Sequence, residues 1–111
     1  MLARENRLKS AEDFRSTMRT GRKAVGNSMV LYLKQNDDNS SARFGFVVSK
    51  AVGSAVQRNL VKRRLRSAVR DRLPKFRNGQ AMVIRALPAA IDLTWQALGE
   101  DLDSCLDHLS K

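Results

Sequence analysis

The run KAVGSAVQRNLVKRRLRSAVR, Lys50 to Arg70, carries the densest charge in the chain and its clearest periodicity. Ser54 with Gln57 three residues on is a capping-box pair, so a helix opens with Ser54 as N-cap and Ala55 as its first residue. Pro74 is the expected stop, which makes residues 54–73 a single basic helix. At about 100° per residue, Arg58, Lys62, Arg66 and Arg70 form a stripe with Asn59 and Arg63 beside it. Val56, Leu60, Val61, Leu65 and Ala68 take the opposite arc. Two residues fit this partition poorly. Arg64 falls within the apolar arc, where its long stem suits it to snorkel from the core edge, and Val69 falls among the cations.

A solvated helix face normally mixes signs, because opposite charges at i, i+4 stabilise a helix and like charges cost stability. From Arg58 to Arg77 there are nine Lys or Arg and a single acid, Asp71. A face so one-sided is matched to a polyanion rather than to water. The whole chain agrees: a net charge of +10 and a pI near 10.9 point to nucleic acid or an anionic surface. The charge is also uneven. Residues 1–85 carry 20 Lys or Arg against 6 acids, whereas residues 86–111 carry 1 against 5, so the C-terminal segment is not expected to touch the polyanion.

Lys50, Gly53, Ala55, Val56, Arg58, Asn59, Lys62, Arg63 and Arg66, in that spacing, resemble the signature of the bacterial ribonuclease P protein component. Outside the helix, Asn6-Arg7-Leu8, Asp13-Phe14, Gly21, Val30-Leu31-Tyr32 and the run Phe44 to Lys50 resemble the same family in order. The resemblance covers most of the chain and thins after Arg85.

A chain of 111 residues is long enough for one domain with a single core. Residues 1–9 read as a basic arm, flexible or ordering on docking. Ser10 and Asp13 cap a helix from Ala11 to about Thr20, closed by Gly21, with Ala11, Phe14 and Met18 on one side. Arg22 to Gln35 is β-like with a break at Gly26-Asn27, Asn36 to Ser41 is a turn, and Arg43 to Lys50 is the returning strand. These two runs are expected to form a hairpin, with Phe44, Phe46 and Val48 on one face of the second. Ala81 to Ala86 is a short apolar strand stopped by Pro88, and residues 92–109, with a start at Asp92 or Thr94, form a core helix through Trp95, Leu98, Leu102, Cys105 and Leu109. The order is α-β-β-β-α-β-α, or the same with one strand fewer: a single-domain α+β sandwich on a mixed sheet. The resemblance implies the longer version, with a ribosomal-protein-like left-handed β-α-β crossover. The sequence alone does not fix that hand, and the general rule favours the other one.

A lone Cys105 excludes an intrachain disulfide, and a lone His108 adds nothing like a metal-ligand cluster. The first residues lack the apolar core of a secretory signal. The longest apolar run, Met29 to Leu33, is far too short to cross a bilayer, so a cytoplasmic protein is expected. A protein nuclease needs paired carboxylates for metal or a His-based acid and base. Asp37 and Asp38 instead lie in a turn, and Glu12 and Asp13 lie in the first turn of a helix, where the macrodipole favours them.

The resemblance implies where the chemistry is. The RNA subunit of ribonuclease P would cleave the 5′ leader from precursor tRNA with bound Mg2+, held mainly by that RNA. The protein would be the non-catalytic component of this endoribonuclease, with no metal of its own, no membrane and no protein partner required. Arg58, Asn59, Lys62, Arg63 and Arg66 would contact the RNA subunit, with Lys50 nearby; a guanidinium engages phosphate oxygens through two donors. Asn59 suits a structural hydrogen bond equally well. Arg7, Phe14, Met18 and Tyr32 would line a leader cleft between the first helix and the sheet, Met18 standing where the family commonly has a second aromatic. Two other readings stay open: a generic RNA-binding or ribosome-associated module without a leader cleft, and an independent RNA nuclease.

Overall fold

The computed structural model describes residues 2–110. Helix α1 spans Ala11–Thr20, strands β1 and β2 span Arg22–Val25 and Met29–Gln35, and β3 spans Arg43–Val47. Helix α2 then runs Ala55–Arg70, β4 runs Gln80–Ala86, and α3 runs Trp95–Leu109. The four strands form one mixed sheet in the order β1-β2-β4-β3.

The hairpin expected between β2 and β3 does not form. β2 pairs antiparallel with β1 on one side and with β4 on the other, and β3 pairs parallel with β4. The reason is the composition of β4, whose residues 81–84 and 86 are all buried. A strand apolar on both faces belongs at the centre of a sheet, not at its edge. The 36–42 segment therefore passes the end of β4 and is fastened there: Asn36 N–H donates to Gly79 O at 2.8 Å and Gly79 N–H to Ser40 O at 2.7 Å. Gly79 has φ 86°, a left-handed conformation that favours glycine. β3 also stops at Val47, because Lys50–Val52 coils into a 3-10 turn before α2.

Each helix begins on a side-chain cap. Ser10 Oγ accepts from Asp13 N–H at 3.1 Å, and Thr94 Oγ1 accepts from Ala97 N–H at 3.1 Å. At α2 the capping box is complete, with Gln57 N–H to Ser54 Oγ at 3.2 Å and Ser54 N–H to Gln57 Oε1 at 2.8 Å. α2 ends at Arg70 rather than at 73, since Pro74 disfavours helical backbone at the residue before it and the chain turns early into a 3-10 segment, Leu73–Lys75. Of the two starts the sequence allows, Asp92 or Thr94, the second is the observed one: Thr94 is the N-cap and α3 begins at Trp95, after a 3-10 turn over Pro88–Asp92.

The face of α2 against the sheet is Val61, Leu65, Ala68 and Val69. Val69, placed among the cations by its angle, is thus core, and Val56, placed with the apolar arc, is 78% exposed. The apolar stripe of α2 is centred nearer Leu65 than the sequence partition put it, and Val56 sits in the first turn on the outer side. Arg64 does snorkel: its Nη1 donates to Leu93 O at 3.0 Å. Trp95, expected in the core, is 50% exposed.

Helices α2 and α3 cover one face of the sheet over the main core, which includes Leu31, Phe44, Met82, Ile84, Leu98 and Leu102. Burying each such leucine contributes about 2 kcal/mol. The opposite face carries a smaller cluster, Leu8, Val30, Tyr32, Ala81 and Val83, partly roofed by α1. The described part of the basic arm is docked: Leu2 is buried, Asn6 Nδ2 donates to Ala42 O at 2.7 Å, and Leu8 N–H donates to Phe44 O at 2.9 Å. No helix among the described residues is long and apolar enough to cross a membrane.

Candidate nucleic-acid interface

The first basic surface is the outer side of α2. Asn59, Arg63 and Arg70 are exposed there, and Lys62 and Arg66 are half-buried. Among the described residues the only ion pair from this helix is Arg70 with Asp71 at 3.9 Å. The charges of Arg58, Lys62, Arg63 and Arg66 therefore go uncompensated by neighbouring acids.

The stripe Arg58, Lys62, Arg66, Arg70 is not uniform. Each i, i+4 step overshoots a full turn by roughly 40°, so the row winds around the helix from the core edge to open solvent. Arg58 lies at the inner end, with Nε buried and without a hydrogen-bond partner among the described residues. Lys62 and Arg66 lean over the β3 edge, and Asn59 and Arg63 point outward beside exposed Val56. Lys50 is exposed in the turn that leads into the helix.

The second surface is the sheet face under α1. Residues directly opposite on neighbouring strands project from the same face, so the register aligns Lys23, Tyr32, Val83 and Gly45 in one row. Val25, Val30, Arg85 and Val47 form the next. Phe14 and Met18 on α1 pack over this floor. Gly45 allows the approach, because a Cβ there would collide with the Phe14 ring. Tyr32 is only 8% exposed, and Lys23 Nζ lies 5.9 Å from its ring centroid. Met18 is half-buried beside these aromatics.

Lys23, Val25 and Arg85 were not singled out in the sequence, yet they form the open part of this cleft. Their signal was period-2 alternation, but it assigns them to one face only once the strand order is known. Arg7 lies at the other end, its Nη2 donating to Leu2 O at 3.1 Å. A groove along Arg7, Phe14, Phe46, Lys62 and Arg66 joins the cleft to α2 around the β3 edge.

Several acids are engaged in contacts away from these surfaces. Asp38 accepts from Ser40 Oγ at 2.7 Å and Ser40 N–H at 3.2 Å, and these bonds, aided by Arg43, hold its carboxyl below the usual value. Glu12 pairs with Arg15 at 3.1 Å. Among the described residues no three His, Cys, Asp or Glu side chains are grouped to hold a metal ion.

Together these features define a basic α+β protein with two connected cationic faces. The ribonuclease P family model matches residues 2–110. A ribonuclease P protein component from Pseudarthrobacter chlorophenolicus is 46% identical over 107 residues, covering 96% of this chain and 79% of the relative. One from Streptomyces griseus is 46% identical over 117 residues, covering 98% and 95%. The RNase P protein of Staphylococcus aureus superposes with a TM-score of 0.85 at 26% identity, covering 94% of both chains. That of Thermotoga maritima shares the fold, with a TM-score of 0.77 at 22% identity. The chain belongs to the ribonuclease P protein component family. As such it is part of an endoribonuclease complex of tRNA processing and associates with ribonuclease P RNA.

Proposed function

We propose that this chain is the non-catalytic subunit of the complex, using α2 to hold the catalytic RNA and the sheet face to hold the 5′ leader of precursor tRNA. The observation that carries this reading is the pair of basic surfaces joined around the β3 edge by Arg7, Lys62 and Arg66. One RNA on α2 and an unpaired strand in the cleft would then meet along that groove.

Arg58, Asn59, Lys62, Arg63 and Arg66, with Lys50, would bind phosphates of the RNA subunit. In the cleft, Phe14 and Met18 offer half-buried apolar surface to a base, and Arg7, Lys23 and Arg85 offer charge to its backbone. Tyr32, being 8% exposed, would present an edge to the leader rather than a full stacking face. Among the described residues no three acids are grouped to hold a metal ion, and in this reading Mg2+ would be held by the RNA. The protein would lower the Mg2+ requirement by relieving repulsion between the two RNAs.

The test is cleavage of precursor tRNA by the protein alone, by its RNA partner alone, and by both at low Mg2+. The reading expects product only when both are present. RNA-free protein cutting at the mature 5′ end would instead establish an independent nuclease, and a protein without effect on the RNA's Mg2+ requirement would leave a generic RNA-binding module.

A further inference from the structure

Three large apolar side chains stand exposed among the described residues: Val25 at 67%, Val56 at 78% and Trp95 at 50%. Val25 belongs to the cleft face and Val56 to the cationic face of α2. Trp95 belongs to neither. It opens α3 and walls a trough between α2 and α3, on the side of the sheet away from the cleft.

The trough is a built feature. Its floor is Ala68 and Gly99, and Arg72 lies across it, donating from Nε and Nη2 to the two Asp103 oxygens at 2.6 and 3.0 Å and from Nη1 to Ala68 O at 2.8 Å. Gly99 makes the room, since a Cβ there would stand 2.8 Å from Arg72 Nη2. Asp103 thereby neutralises Arg72, and it also draws in Lys75 at 3.5 Å. The acids left at the rim are Glu100, which has no ion pair among the described residues, and Asp71, loosely paired with Arg70 at 3.9 Å.

The lining holds three acids, Asp71, Glu100 and Asp103, against two cations, Arg72 and Lys75, so around Trp95 the sign of the balance is the reverse of that of the whole chain. The trough suits a cation, because Trp is the best aromatic partner for an ammonium or guanidinium, and a guanidinium both stacks and donates to carboxylates. We propose that this trough docks an arginine- or lysine-bearing segment of a protein partner, its side-chain cation seated over Trp95 with Glu100 and Asp71 accepting its hydrogen bonds. The proposal does not depend on how the two basic faces divide RNA between them. It adds a site for protein on a chain whose family implies none is required.

Trp95 is the only tryptophan, so emission excited selectively at tryptophan, beyond the absorption of Tyr32, reports this trough alone. The full RNA-free chain is titrated with a capped hexa-arginine peptide at physiological ionic strength. A saturable emission change is expected, with Glu100→Gln or Asp71→Asn weakening binding about fivefold, the loss of one partly exposed ion pair. Both positions are exposed, so the variants keep the fold. The proposal is overturned if hexa-arginine gives no saturable change, or if the two variants bind it as the parent does. It is equally overturned if hexa-glutamate or a single-stranded RNA oligonucleotide produces the change, or if the emission shifts with protein concentration alone, which would assign the face to a second copy of this chain.

Discussion

Arg85 is the one exposed residue of a strand otherwise buried or half-buried, and its pairing opposite Val30 and Val47 sets it on the cleft face, in the open part of the cleft. A phosphate contact at such a point adds one counterion-release term to leader binding, worth about one unit in the salt slope. Arg85→Ala should therefore weaken precursor tRNA binding to the assembled enzyme about tenfold at physiological salt and flatten its salt dependence by about one unit. Mature tRNA, lacking the leader, should bind as before. Affinities for both tRNAs across a salt series check this, and equal losses on the two would remove Arg85 from the leader path. The sequence held no local signal for this residue beyond one charge in an apolar strand. The outer-face residues of α2 are legible for the opposite reason: helical spacing is local, so Asn59, Arg63 and Arg66 reach one surface whatever the rest of the chain does.

At the scale of elements, local rules placed α1, its cap and the start of α2 correctly, because a capping hydroxyl needs only the three residues that follow it. They failed where the decision was made across the sheet. The β2–β3 hairpin was the natural reading of two strands around NDDNSS, and it lost because β4, some forty residues on, has the stronger claim to β2. Trp95 failed similarly: its spacing matched the core stripe, but it occupies the first turn of α3, beyond the sheet. Asp103 ties α3 to the segment just after α2, and hydrogen bonds from Arg72, and then the charges of Arg72 and Lys75, hold its carboxyl below the ordinary value of 3.8. A group with a depressed folded pKa contributes stability above its unfolded pKa and loses it as pH falls through the folded one. Asp103→Asn should thus destabilise the protein by about 1 kcal/mol at pH 7, discounted because the carboxylate is 40% exposed. The difference should shrink as the pH is taken below 3.8. Urea unfolding of parent and variant at pH 7 and near pH 3 measures it, and a gap that persists in acid would mean that packing, not charge, is lost.

For the molecule as a whole, a net charge of +10 on 111 residues opposes the compact state, and two faces concentrate the repulsion. Anions that bind the native basic sites should raise stability by linkage. Sulfate should therefore raise the melting midpoint by several degrees over chloride at matched ionic strength, and identical midpoints would show that the charge is diffuse rather than gathered into sites. The sheet order β1-β2-β4-β3 has a consequence in time as well as in space. The strand that joins both halves of the sheet is the last to be synthesised, so until Gln80 to Ala86 leaves the ribosome the nascent chain can close only the short β1–β2 ladder. β3 must wait with Phe44 and Phe46 uncovered, while α2 already displays its cations. Sheet closure is then a late, long-range event of the slow kind, and the half-made chain is exposed both to aggregation through its open strands and to capture by whatever polyanion is nearest.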